Sequence, residues 1–135
     1  MGGALLSRWQ KNRPSGIRRF RVIDPIHKRA NTKYMSWFAG LDDLPPEYEP
    51  SVILFAVKPQ HLPAILPAYR ERFHDKRILY MSIAAGKSLR FFMAHLGERA
   101  HVIRAMPNTA ALVGESITVM CAAQTVSPQE IQIAT

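Results

Sequence analysis

The chain has a single cysteine, Cys121, so no disulfide can form within it, and a reduced compartment suits it best. Long apolar runs are missing too. The longest, VILFAV at 52–57, has six residues, against the ~20 that a membrane-spanning helix needs. No apolar stretch near the start reads as a secretory signal, and a cytoplasmic location is expected. The histidines at 27, 61, 74, 95 and 101 stand at no zinc-like spacing, with one another or with Cys121, so no metal site is expected. Acidic residues are scarce, ten against 18 lysines and arginines. The shortage is sharpest over 8–33, where nine bases (Arg8, Lys11, Arg13, Arg18, Arg19, Arg21, Lys28, Arg29, Lys33) meet one acid, Asp24. Such a segment can attract nucleic acid, lipid headgroups or a phosphorylated ligand. With no recognition motif and no aromatic ladder beside it, it reads as a solvated basic face, and neither nucleic acid nor membrane is an expected partner.

What is present suits one domain. At 135 residues the chain is too short for two comfortable ones, and an apolar content of 47% excludes disorder throughout. The opening residues Ala4, Leu5, Leu6 and Trp9 read as a helix. RFRVI (19–23) alternates polar and apolar and ends at Asp24-Pro25, a short strand. VILFAV is apolar without a break, as in a strand buried on both faces of a parallel sheet. Leu62, Ile65, Leu66, Tyr69 and Phe73 then fall at helical spacing, with Pro67 expected to kink the helix. The cycle repeats: RILYMSI (77–83) as strand, AAG (84–86) as tight loop, and Leu89, Phe92, Met93 and Leu96 as helical stripe closed by Gly97. HVIRAM (101–106) and ITVMCAA (117–123) are further strands, while LDDLPPEYEPS (41–51), with three prolines and four acids, reads as a surface connection. Strands alternating with helical patterns predict βαβ units and a doubly wound, mainly parallel α/β sheet.

Near the other end, SPQE (127–130) is a capping box: Ser as N-cap, Pro at the first helical position, Glu at the third. It announces a helix that has few residues in which to continue. In a doubly wound sheet, ligands bind beyond the carboxyl ends of the strands. The informative loops are therefore Asp24-Pro25, AVKPQ (56–60), IAAG (83–86) and RAMPNTAALVGE (104–115). Each places small residues or proline where a strand ends. Tight turns use the same residues, but four such loops along one sheet edge point to a ligand lying against backbone.

AVKPQ, then SIAAG, then VIRAMPNTAALVGES resemble the serial signatures of the pyrroline-5-carboxylate reductases, RAMPNT being the most specific. The openings MGGALL and RFRVIDP also fit. The resemblance implies a Rossmann-like domain that lacks its first strand, covering residues 1–126. It implies that 127–135 begin a helix leading to a helical dimerisation domain beyond Thr135. Met1 and Gly2 match the last two residues of a G-x-G-N-M-G loop, so the chain is expected to be cut at both ends and inactive by itself. The implied reaction is hydride transfer from NADPH or NADH to the imine of 1-pyrroline-5-carboxylate, giving proline, within a homo-oligomer.

Carried over residue by residue, the resemblance puts Gly2, Ala56, Val57, Lys58 and Pro59 along the cofactor cleft. Ile83, Ala84, Ala85 and Gly86 fall near the nicotinamide ribose, and Met106, Pro107, Asn108 and Thr109 on the floor where hydride meets imine. No catalytic residue is assigned, because much of the substrate site is expected in the helical domain. Lys58 invites a general-acid reading and equally a carboxylate partner. Asp24 ends the second strand, where an acid accepts the adenosine ribose hydroxyls. His27, Lys28 and Arg29 follow it and could hold a 2′-phosphate, and an Asp before Pro25 is also a turn former. Two alternatives remain: a related dehydrogenase acting on a 3-hydroxy acid, and a binding module without activity.

Overall fold

The computed structural model describes residues 2–14, 16–27, 29–107 and 118–135. Two compact units emerge: Arg8–Tyr48, and Glu49–Thr135 together with the start of the chain up to Ser7.

The larger unit is built on a four-stranded sheet, in the order β3 (Val52–Phe55), β4 (Leu79–Ser82), β5 (His101–Pro107) and β6 (Thr118–Ala122). The first three run parallel, with Val52 opposite Leu79 and Leu79 opposite His101. The last is antiparallel, Ile103 facing Ala122 and Pro107 facing Thr118. Helices α2 (Leu62–Arg72) and α3 (Leu89–Leu96) cover one face. There Phe55 of β3 meets Tyr69 of α2 edge-on at 5.1 Å and Phe92 of α3 at 6.5 Å, with Tyr80 of β4 stacked 6.1 Å away. Leu62, Leu66 and Phe92 are fully buried, each contributing about 1.5–3 kcal/mol of apolar burial. That core holds α2 together through Pro67. Instead of breaking at the proline, the helix runs on to Arg72 and closes with the Phe73 N–H on the Tyr69 carbonyl. Ser88 caps α3 by accepting the Phe91 N–H, and Gly97 ends it at φ +109°, a conformation that favours glycine. The capping box is formed as read: α4 (Pro128–Ala134) starts behind Ser127, whose hydroxyl accepts the Glu130 N–H while the Glu130 carboxylate accepts the Ser127 N–H.

The smaller unit holds the end of α1 (Gly2–Lys11), from Arg8 on, and a separate parallel pair, β1 (Phe20–Ile23) and β2 (Met35–Phe38), in register Phe20 to Met35. Trp9 stacks on Phe20 at 5.6 Å. β2 escapes the sequence reading because MSWF is four residues long, with neither alternation nor a β-branched side chain. Parallel strands usually need a helical crossover, yet among the described residues of 24–34 there is no helix. Side chains do its work: the Trp37 N–H donates to Asn31 Oδ1 at 2.9 Å and the Met35 N–H to Thr32 Oγ1 at 3.1 Å. The proline-rich stretch forms a short 3-10 turn (Leu41–Asp43), with Asp43 Oδ2 accepting the N–H groups of Ala39 and Gly40. It is less wholly exposed than expected, since Leu44 is buried. Among the described residues no helix is long and apolar enough to cross a membrane.

Candidate functional site

The three parallel strands of the larger unit deliver their carboxyl ends to one edge of the sheet, the edge where ligands of such folds gather. After β3 come Ala56, Val57 and Lys58, all exposed, and Pro59, which opens a 3-10 turn. The backbone of Lys58 is extended and its carbonyl accepts the His61 N–H at 3.0 Å. After β4 the chain turns beside the first loop: the Ile83 N–H donates to the Phe55 carbonyl at 3.2 Å. The Ala84 N–H donates to buried Ser82 Oγ at 3.2 Å, and Gly86 sits at φ +70°. Strand β5 ends in half-exposed Met106 and in Pro107. Asn108 and Thr109 lie outside the described residues.

Gly2 opens α1 against this edge. A side chain there would place its Cβ 2.7 Å from Ala56 Cβ, so only glycine lets the helix start approach so closely. The first turn of a helix has N–H groups without intrahelical partners and a partial positive charge. Together with the small residues of the two loops, this edge can hold a phosphorylated ligand against backbone.

Asp24 belongs to the smaller unit and ends β1, its N–H donating to the Phe38 carbonyl. Oδ1 accepts the Ile26 and His27 N–H groups at 2.9 and 3.0 Å, and Oδ2 lies 3.3 Å from His27 Nδ1. The His27 and Ile26 backbone bonds hold the carboxyl below its ordinary range, outweighing a small opposing effect of burial. It is thus a turn former, with Oδ1 held by backbone and Oδ2 met only by the exposed His27 ring among the described residues. In the same unit, Arg29, Ala30, Asn31, Trp37, Phe38, Ala39 and Asp43 line an open cleft of about 480 Å³, the Arg29 guanidinium lying 5.6 Å from the Trp37 ring centre. The reading of the sequence missed Trp37, which lies in the unrecognised strand β2, and Asn31, which lies in the connection before it.

A second polar cluster lies at the amino end of β5. Glu130 is buried, and its Oε2 accepts the Ser127 N–H at 2.8 Å and the Ser127 hydroxyl at 2.9 Å. His101 Nδ1 lies 2.9 Å from that oxygen and Arg77 Nε 3.5 Å from Oε1. Burial alone would raise this carboxyl. The bonds from Ser127 and His101 overcome it and hold the group down at about 2. Its bonds tie α4 to β5 and to its own cap, a structural clamp. Among the described residues no three metal-binding side chains gather.

No family model matches the chain. Among curated proteins, it is 37% identical over 86 residues to the pyrroline-5-carboxylate reductase of Schizosaccharomyces pombe, covering 62% of this chain and 30% of that protein. Against the pyrroline-5-carboxylate reductase of Methanosarcina acetivorans it is 28% identical over 121 residues, covering 90% of this chain and 44% of that protein. Among solved structures, a pyrroline-5-carboxylate reductase from Coxiella burnetii matches at TM-score 0.60 and 28% identity, over 62% of this chain and 31% of that one. The Plasmodium falciparum pyrroline carboxylate reductase with NADP bound matches at TM-score 0.80 over 99% of this chain and 48% of that one, a likeness that at 22% identity shows the fold. The chain spans between 30% and 48% of the length of these relatives.

Proposed function

From kinship with the pyrroline-5-carboxylate reductases, to which its curated relatives belong, we propose that the chain is the nucleotide-binding part of such an enzyme. Residues 1–126 form that part, and the activity it serves is the reduction of 1-pyrroline-5-carboxylate to L-proline in the cytoplasm, within a homo-oligomer. The observation that carries the reading is the edge of the larger unit. There the loops after β3 and β4 adjoin through the Ile83–Phe55 bond, and α1 starts at contact distance from Ala56.

The residues present fit a nicotinamide dinucleotide. A Cβ at position 2 would collide with Ala56, which leaves room for backbone alone at the helix start. Gly86, at φ +70°, turns the second loop with no side chain to project. When bound, NADPH or NADH supplies the hydride that the imine carbon takes up. Gly2 and Ala56, Val57, Lys58 and Pro59 position the dinucleotide through main chain. Ile83, Ala84, Ala85 and Gly86 flank its nicotinamide ribose, and Asp24 accepts an adenosine ribose hydroxyl. Met106 and Pro107 belong to the floor that keeps donor and acceptor in contact, which is most of what such a reaction asks of a protein.

A hybrid enzyme tests this directly. Residues of this chain replace the aligned segment of the Schizosaccharomyces pombe reductase, and cofactor oxidation is followed with and without 1-pyrroline-5-carboxylate. Oxidation that depends on the imine is the expected result. A folded hybrid that binds the cofactor and transfers no hydride would overturn the reading.

A further inference from the structure

We propose that His27, acting through Asp24, makes the choice between NADH and NADPH depend on pH. The inference rests on the nucleotide-binding reading above and concerns the loop that closes β1.

Asp24 Oδ1 is committed to the loop itself, since it accepts the backbone N–H groups of both Ile26 and His27. Those two bonds fix the carboxylate and leave Oδ2 as the oxygen free of backbone donors. In a dinucleotide fold an acid at this place accepts the ribose 2′-hydroxyl of NADH, whereas NADPH carries a phosphate there. The same oxygen would hold the hydroxyl and repel the phosphate. His27 Nδ1 lies 3.3 Å from that oxygen, and the side chains of Asp24 and His27 are 33% and 71% exposed, so both are open to a ligand. Imidazole changes charge between about pH 5 and 8. Uncharged, it leaves the Asp24 carboxylate uncompensated, and a 2′-phosphate is disfavoured. Protonated, it donates to Oδ2, competes there with the ribose hydroxyl, and offsets the negative charge. Its Nε2–H is then a donor for a phosphate oxygen.

Among the described residues, the charged groups of β1 and of the connection after it have contacts of their own. On β1, Arg21 is bonded to Ser36 and lies over the Tyr48 ring. In the connection after β1, Arg29 lies over Trp37 and Lys33 over Tyr34, and β2 (MSWF) carries no charge. Among the described residues, the ion-pair partner of His27 is Asp24.

The test titrates NADH and NADPH into the purified 135-residue chain between pH 5.5 and 8.0, read by quenching of tryptophan emission. Three forms are compared: the natural chain, His27→Gln and Asp24→Ser. In the natural chain, affinity for NADPH relative to NADH should fall about fivefold as pH rises, the scale of an exposed charge pair. The 2′-phosphate itself gains charge near pH 6, and His27→Gln retains that contribution. Its profile should therefore be clearly flatter, while Asp24→Ser should favour NADPH at every pH. Superimposable profiles for the natural chain and His27→Gln would overturn the inference and leave the nucleotide-binding reading intact. Failure of both dinucleotides to bind would overturn both.

Discussion

Replacing Glu130 by Gln removes one charge from a carboxylate that three hydrogen bonds and Arg77 converge on. Its pKa falls from 4.5 to about 2 in the folded chain. At 1.36 kcal/mol per unit, that difference amounts to roughly 3 kcal/mol of stability. The side chain is only 11% exposed, so solvent screens little of it. Glutamine keeps an oxygen for the Ser127 N–H, and the loss at neutral pH should be about 2–3 kcal/mol. For a chain of this length, that lowers Tm by roughly 7–10 °C. The sign follows from the depressed folded value. The stabilisation is complete above pH 4.5 and disappears as the pH falls towards 2. Circular dichroism melts of both forms at pH 7, 5, 4 and 3 should show a gap in Tm that narrows below pH 4.5. Equal melting temperatures at pH 7, or a gap unchanged at pH 3, would refute the clamp.

Gly2→Ala forces a Cβ to within 2.7 Å of Ala56 Cβ and should cost about 1–3 kcal/mol by overpacking. Thermal unfolding should show that cost reversed when Ala56→Gly is added, and a double variant no better than the single one would count against the close approach. Phe92→Ala empties a fully buried site between Phe55 and Phe91. Urea unfolding should report a loss of about 3–5 kcal/mol. The basic segment 8–33 should bind duplex DNA weakly, with affinity falling steeply as salt rises in an anisotropy titration. Tight, sequence-selective binding at physiological salt would contradict the solvated-face reading.

Segments whose signals are local could be read from the sequence. VILF and LYMS are apolar and bounded by turns, Ser88 and Gly97 bracket α3, and SPQE announces α4; the structure has each within a residue or two of the reading. What escaped depends on residues far apart. The direction of β6 is decided by its pairing with β5, and antiparallel pairing leaves no mark on ITVMCAA. The continuity of α2 through Pro67 comes from a core filled by three other elements. The candidate site divides the same way. Its small residues were visible as loop signatures, whereas the commitment of Asp24 Oδ1 to two backbone donors and the Glu130–His101 pairing, 29 residues apart, needed the fold.

The helix-free connection between β1 and β2 also bears on how the chain acquires its shape. Phe20 and Met35 are paired across 15 residues of chain, and Val52 and Leu79 across 27. Closing the shorter loop forfeits less chain entropy, by roughly 0.5 kcal/mol, and local pairings of this kind form early. The same brevity weakens the result. A two-stranded ribbon is marginal by itself, and all four residues of β1 remain half-buried. Strands β1 and β2 should close ahead of β3 and β4 during folding and reopen more readily afterwards, exchanging their amide hydrogens ahead of β4 and β5. The loop that carries Asp24 and His27 is thereby hung on a pairing that is quickly made and easily lost.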